Sequence, residues 1–188
     1  NISEHLSRIQ VLELKNAYLR AKRNPQNTTF RQEFVAGLFK IYGELCKFQG
    51  EAYCIKWSNM LLAGHKEDRI KQIARSVILK EENPEKNLYP IGKTNFLPSG
   101  LSPYKKMNQL VNLLKKEGFQ IYVVTPSHEL LANELIAHFY ESIELKNVIG
   151  TKLKIVDSNI TSHFIQFPLG PTKTLSLIHI SEPTRQAE

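Results

Sequence analysis

The sequence predicts an α/β protein in which a block of helices precedes the α/β part. Three observations carry this. Residues 1–82 place apolar side chains at three- and four-residue steps and show no strand pattern. The run "FQIYVV" (119–124) is short, apolar and rich in strand formers, with helical patterns on both sides. "NVIGTKLKIVDSNITSHFI" (147–165) then alternates apolar and polar residues around turn signals. Helix, strand, helix, strand is the order of an α/β sheet.

Each element follows from its pattern. Ile2, Leu6, Ile9 and Leu12 space a first helix over 1–23. "RNPQNTT" (23–29) is a loop, and Thr29 is expected to cap the second helix. Phe30, Phe34, Leu38, Ile41, Leu45 and Phe48 form that helix's apolar stripe, and Gly50 ends it. Tyr53, Trp57, Met60 and Leu61 carry a third helix, most simply as bundle core. Ile70, Ile73 and Val77 line a fourth. Residues 82–100 hold three Pro and two Gly and read as a connector without regular structure. Ser102 and Pro103 sign a helix start, Met107, Leu110 and Leu114 its buried face, and Gly118 its stop. After the apolar strand a helix is expected from Ser127 to Tyr140, bearing Leu130, Leu131, Leu135 and Phe139. Asp157 reads as a hairpin turn residue, His65 as a solvated turn residue and His163 as a strand residue.

Composition narrows the function. An apolar content of 41% and a charged content of 23% are those of a globular protein. No apolar run approaches the roughly 20 residues that span a bilayer, so no membrane partner is expected. The net charge of +7 invites nucleic acid. The Lys and Arg residues are scattered along helix faces, however, without a basic block or interleaved aromatics, which points to a solvated basic surface. Cys46 and Cys54 are too few for a zinc pattern or a disulfide framework, so a reducing, cytoplasmic setting is the expectation. The only Asp residues are Asp68 and Asp157, far apart, so no local motif supplies a close Asp pair.

The stretch "GFQIYVVTPSHELL" (118–131) concentrates the question. Its apolar strand gives way at once to Thr125, Pro126 and Ser127 where a helix is due. Thr125 or Ser127 can be an ordinary helix cap. The same geometry also suits an anion site, because ligands of open α/β sheets lie at the carboxyl ends of strands, beside helix N-termini.

"GLSPYKKMNQLVNLLKKEGFQIYVVTPSHELL" followed by "NVIGTKLKIVDSNIT" resembles the haloacid-dehalogenase-like hydrolase superfamily, and within it the phosphoserine-phosphatase-like and phosphorylcholine-phosphatase-like branch. Thr125 stands at the hydroxyl position of that family's second motif, Ser127 matches a second hydroxyl, and "VIGTKL" (148–153) matches the segment that follows. Pro126 and His128 depart from the usual Ala and Pro. The resemblance implies a partial Rossmann-like core over 103–174, a helical cap over 1–82 and a connector over 83–102. It implies an Mg²⁺-dependent phosphatase of a small phosphorylated metabolite, working through an aspartyl-phosphate. Thr125 and Ser127 would contact the phosphoryl group, and Lys173 in "GPTKT" stands near the place of the third-motif lysine. An aromatic of the cap, such as Trp57, could cover a choline-like cation.

The Asp-x-Asp motif of that chemistry is absent from this sequence. It is expected upstream of Asn1, and the final acidic motif beyond Thr174, so the Mg²⁺ ligands are not expected in this chain and the chain alone is expected to be inactive. "LSLIHISEPTR" (175–185) resembles the conceptual translation of a sequencing-library adapter, and 175–188 is read as a non-native tail. The alternative to the phosphatase is a non-enzymatic basic α/β module that binds nucleic acid or a protein partner.

Overall fold

The computed structural model describes residues 8–82, 88–91, 95–98, 100–171 and 173. The adapter-like tail therefore lies outside the described residues. The chain forms two compact units. One comprises Asn1–Ser58 and Asn83–Gly100, the other Asn59–Glu82 and Leu101–Glu188.

The first unit is helical with an added hairpin. Helix α1 (Arg8–Arg23) packs against α2 (Thr28–Gln49), and α3 (Glu51–Met60) follows α2 directly. The cap of α2 is Asn27, whose side chain accepts the Phe30 N–H, and not Thr29. Asn is at least as good an acceptor there, and its position two residues earlier starts the helix at Thr28. Ala17, Ile41, Leu45, Cys54 and Trp57 are buried. Trp57 is thus core, at 8% exposure, which leaves no open ring face for a cation. Phe48, at the end of the expected stripe, is 69% exposed. The connector does contain regular structure. Strands β1 (Leu88–Ile91) and β2 (Asn95–Pro98) pair antiparallel, Leu88 opposite Pro98. Pro90 and Pro98 are compatible with a two-stranded ribbon, whose outer edges need no donor.

Cys46 and Cys54 are joined by a disulfide, with their Cα atoms 5.0 Å apart. This corrects the expectation of unpaired cysteines. The eight-residue spacing brings the two together only because α2 turns into α3 at Gly50, whose φ of +86° suits glycine.

The second unit is α/β. Strand β3 (Val123–His128) runs into helix α6 (Glu129–Phe139), which returns to strand β4 (Val148–Val156), parallel to β3. Strand β5 (Asn159–Gln166) pairs antiparallel to β4, so the sheet order is β3–β4–β5. Asp157 and Ser158 turn that hairpin with φ of 48° and 65°, as expected of Asp157. The outer edge of β5 is met by 64–67: the Gly64 N–H donates to Ile160 O, the Ile160 N–H to His65 O and the Glu67 N–H to Ser158 O. Helix α4 (Glu67–Glu81) therefore belongs with the sheet and packs on α6. Its buried face is Ile70, Ala74 and Ile78, while Ile73 and Val77 are exposed.

Helix α5 (Lys105–Lys116) begins after Tyr104, with no side-chain cap, so Ser102 and Pro103 lie ahead of it. It buries Val111 against Ile136, Ile143 and Val148, while the expected core residues Met107 and Leu110 are 48% and 47% exposed. Gly118 does end it, with φ of +85° and its N–H on Lys115 O. A second cluster joins Ile70, Leu153 and Ile160, with Leu62, Leu130 and Phe164 packed against it.

Candidate functional site

The candidate site lies where β3 meets α6. The strand starts later than "FQIYVV" suggests, at Val123, and continues through "TPSH" to His128. Its register against β4 breaks between Val124 and His128, where Pro126 can donate no ladder hydrogen bond. Alternate residues Val123, Thr125 and Ser127 line one groove with Leu131, Ala132, Leu135 and Ile136 of α6, a space of about 260 Å³. The lining is apolar except for the two hydroxyls. Thr125 is half-buried and Ser127 exposed.

Neither hydroxyl caps the helix. The cap of α6 is His128, whose Nδ1 accepts the Leu130 N–H at 3.3 Å. Thr125 Oγ1 instead accepts the Ser127 N–H at 3.2 Å. Two N–H groups that an anion could have taken are therefore already bonded within the protein. Thr125 keeps its own O–H to donate into the groove.

Pro126 is held from the other side. Its carbonyl accepts Thr151 Oγ1 at 2.6 Å and Asn59 Nδ2 at 3.2 Å. Thr151 is 0% exposed and Asn59 5%. Two buried donors on one carbonyl fix the irregular segment, and so the direction of its neighbours Thr125 and Ser127. Gly150 allows this approach: a Cβ there would lie 2.6 Å from Glu129 Cα. Its N–H bonds Glu129 Oε2 at 3.1 Å, and Lys152 pairs with Glu129 Oε1 at 3.1 Å. The acidic first turn of α6 is thereby neutralised. "VIGT" thus has a physical role: Gly gives closeness and Thr gives a donor. Asn59 carried no signal in the sequence, because it arrives from α3, 67 residues away.

His128 is 4% exposed. Burial lowers its pKa from 6.5, against the opposing pull of the Glu129 and Glu67 carboxylates. Because Nδ1 accepts, the proton sits on Nε2, which is buried without a hydrogen-bond partner among the described residues.

Lys173 is exposed, and its N–H donates to Gly170 O. Among the described residues, no hydrogen bond or ion pair joins it to Thr125 or Ser127. His65 and His163 are exposed. Among the described residues there is no group of three or more His, Cys, Asp or Glu able to hold a metal ion, and no carboxylate lines the groove. The described residues by themselves do not fit Mg²⁺. No helix among them is long and apolar enough to cross a membrane.

No protein-family model matches the chain, and no curated protein does. It is similar in fold to a solved structure described as that of a conserved functionally unknown protein from Anaerococcus prevotii DSM 20548. The TM-score is 0.67 at 17% identity, over 92% of this chain and 52% of that one. The chain thus spans about half the length of that protein, and at this identity the likeness is one of fold.

Proposed function

We propose that the complete protein is a phosphatase of a small phosphomonoester, of the haloacid-dehalogenase-like kind, and that this chain supplies its phosphoryl-contacting hydroxyls. The observation that supports the reading is the placement of Thr125 and Ser127. They are alternate residues of a parallel strand, they open into one groove at its carboxyl end, and a buried clamp on Pro126 holds them. Such a preset hydroxyl stabilises charge as it develops on a transferred phosphoryl oxygen. Lys173 would add a cation from the chain segment beyond β5. A Rossmann-like core is part of the same proposal, with an acidic strand from outside this chain alongside β3. That strand would bring the nucleophile and the Mg²⁺ ligands, which the described residues do not provide. A cytoplasmic location belonged to this reading, but it rested on free cysteines, and the disulfide removes that support.

The test is turnover of a generic aryl phosphate by the complete protein, with and without Mg²⁺. Mg²⁺-dependent release of phosphate supports the reading. A complete protein with no turnover of any phosphomonoester, but with salt-dependent binding of DNA or RNA, would replace it with the basic-module alternative.

A further inference from the structure

We propose that the Cys46–Cys54 bond is a permanent clamp on the α2–α3 corner, made in an oxidising compartment and afterwards out of reach of soluble thiols. The corner is set by the backbone. The Gly50 N–H bonds Cys46 O at 3.1 Å, and the Tyr53 and Cys54 N–H groups return to Gly50 O at 3.1 and 3.4 Å. These bonds carry the two Cα atoms to 5.0 Å, inside the span a disulfide needs. The thiols are therefore neighbours before they react.

Oxidation balances with one disulfide oxidant. The Cys46 thiolate attacks a sulfur of the oxidant and displaces the other as a thiolate. Cys54 then loses its proton and attacks the Cys46 sulfur of the mixed disulfide, releasing the oxidant as a dithiol. Two electrons pass from the chain to the oxidant.

The reverse reaction meets two obstacles. Cys54 is 0% exposed, so an external thiolate cannot reach its sulfur. Attack at the partly covered Cys46 must expel Cys54 as a thiolate into a fully buried position. Its sulfur lies 3.2 Å from the Glu51 carbonyl oxygen, which welcomes a thiol S–H but repels S⁻. Leaving a thiolate in that water-excluded position is costly, so its expulsion is slow. A bond of this kind persists in secreted, periplasmic or lumenal proteins, whereas glutathione and thioredoxin keep cytosolic thiols reduced. The inference does not depend on the phosphatase reading.

The experiment is thiol trapping. Cells that make the complete protein from its own gene are quenched in acid, and free thiols are blocked with N-ethylmaleimide in denaturant. Trypsin cuts after Lys40, Lys47 and Lys56, so the bond appears as a linked pair of peptides, 41–47 with 48–56. The expected result is the linked pair alone. It should survive treatment of the native protein with millimolar reduced glutathione and disappear when the same treatment follows unfolding. Both peptides carrying maleimide in quenched cells would overturn the oxidising origin. A mixture of linked and blocked peptides, or reduction of the native protein, would overturn permanence.

Discussion

His128 is an unusual helix cap, and its removal separates two effects. The perturbations are His128→Asn and His128→Ala. In the folded protein Nδ1 accepts the Leu130 N–H, which satisfies one orphan donor of α6. Losing a side-chain cap costs about 1 kcal/mol. The ring is also 4% exposed, so truncation to Ala opens a void worth roughly a further 1–2 kcal/mol. Asn restores the cap, so His128→Asn should cost less than about 1 kcal/mol near neutral pH. The pH dependence runs the other way. The folded-state pKa of His128 lies below 6.5, because burial outweighs Glu129 and Glu67. Above 6.5 both states are neutral and His128 adds no pH dependence. As pH falls through that value, the unfolded chain binds a proton that the folded chain refuses. Stability is lost with a limiting slope of about 1.4 kcal/mol per pH unit until the folded group titrates. The Asn variant lacks this loss. The assay is urea unfolding followed by far-UV circular dichroism across that range, with hydrogen exchange of the Leu130 amide as the local readout. The Asn variant should overtake the wild type as pH falls, and Ala should remain the weakest at neutral pH. Equal acid slopes for wild type and Asn, or an Ala variant as stable as Asn, would refute the reasoning.

Three further outcomes are expected. Gly150→Ala should destabilise by about 2–3 kcal/mol in chemical unfolding, because its Cβ meets the backbone at Glu129 and neither chain can yield freely. Thr151→Val keeps the shape but removes one of two donors to Pro126 O, for a loss of about 1–2 kcal/mol and faster exchange at the Ser127 amide. The double change Cys46→Ser with Cys54→Ser should cost the first unit about 2–3 kcal/mol, the loop-closure value for an eight-residue separation, read from Trp57 fluorescence in urea.

The helices and the β4–β5 hairpin were legible in the sequence because each rests on a local pattern. Four helices, Gly118 as a stop and Asp157 as a turn follow from periodicity and backbone preference, although Ile9, Leu12, Ile73 and Val77 of the expected stripes are exposed. The misses have one physical character. Thr29, Ser102 and Thr125 are good cap residues, but Asn27, Tyr104 and His128 stand at the actual starts. A cap is chosen by where packing begins the helix, which propensity does not encode. Met107 and Leu110 read as core yet are exposed, and Val111, next after Leu110, is the buried one. The β1–β2 hairpin was hidden by its prolines. At the site, Thr125 and Ser127 were legible as a pair, whereas Asn59 and the Thr151 donor depend on contacts 67 and 25 residues apart. The Cys46–Cys54 pairing depended on the turn at Gly50, which spacing did not reveal.

The most direct test of the phosphatase account is the turnover number of the complete protein with Thr125→Val, beside its melting temperature. The change removes one hydroxyl from the groove and keeps the side-chain shape. The account predicts a fall in kcat of about 10²-fold, as for loss of one preset donor to a developing charge, well beyond the modest drop in melting temperature that follows from losing the acceptor of the Ser127 N–H. An unchanged kcat in a folded variant would contradict it and leave Thr125 with a structural role alone, as the acceptor for the Ser127 amide.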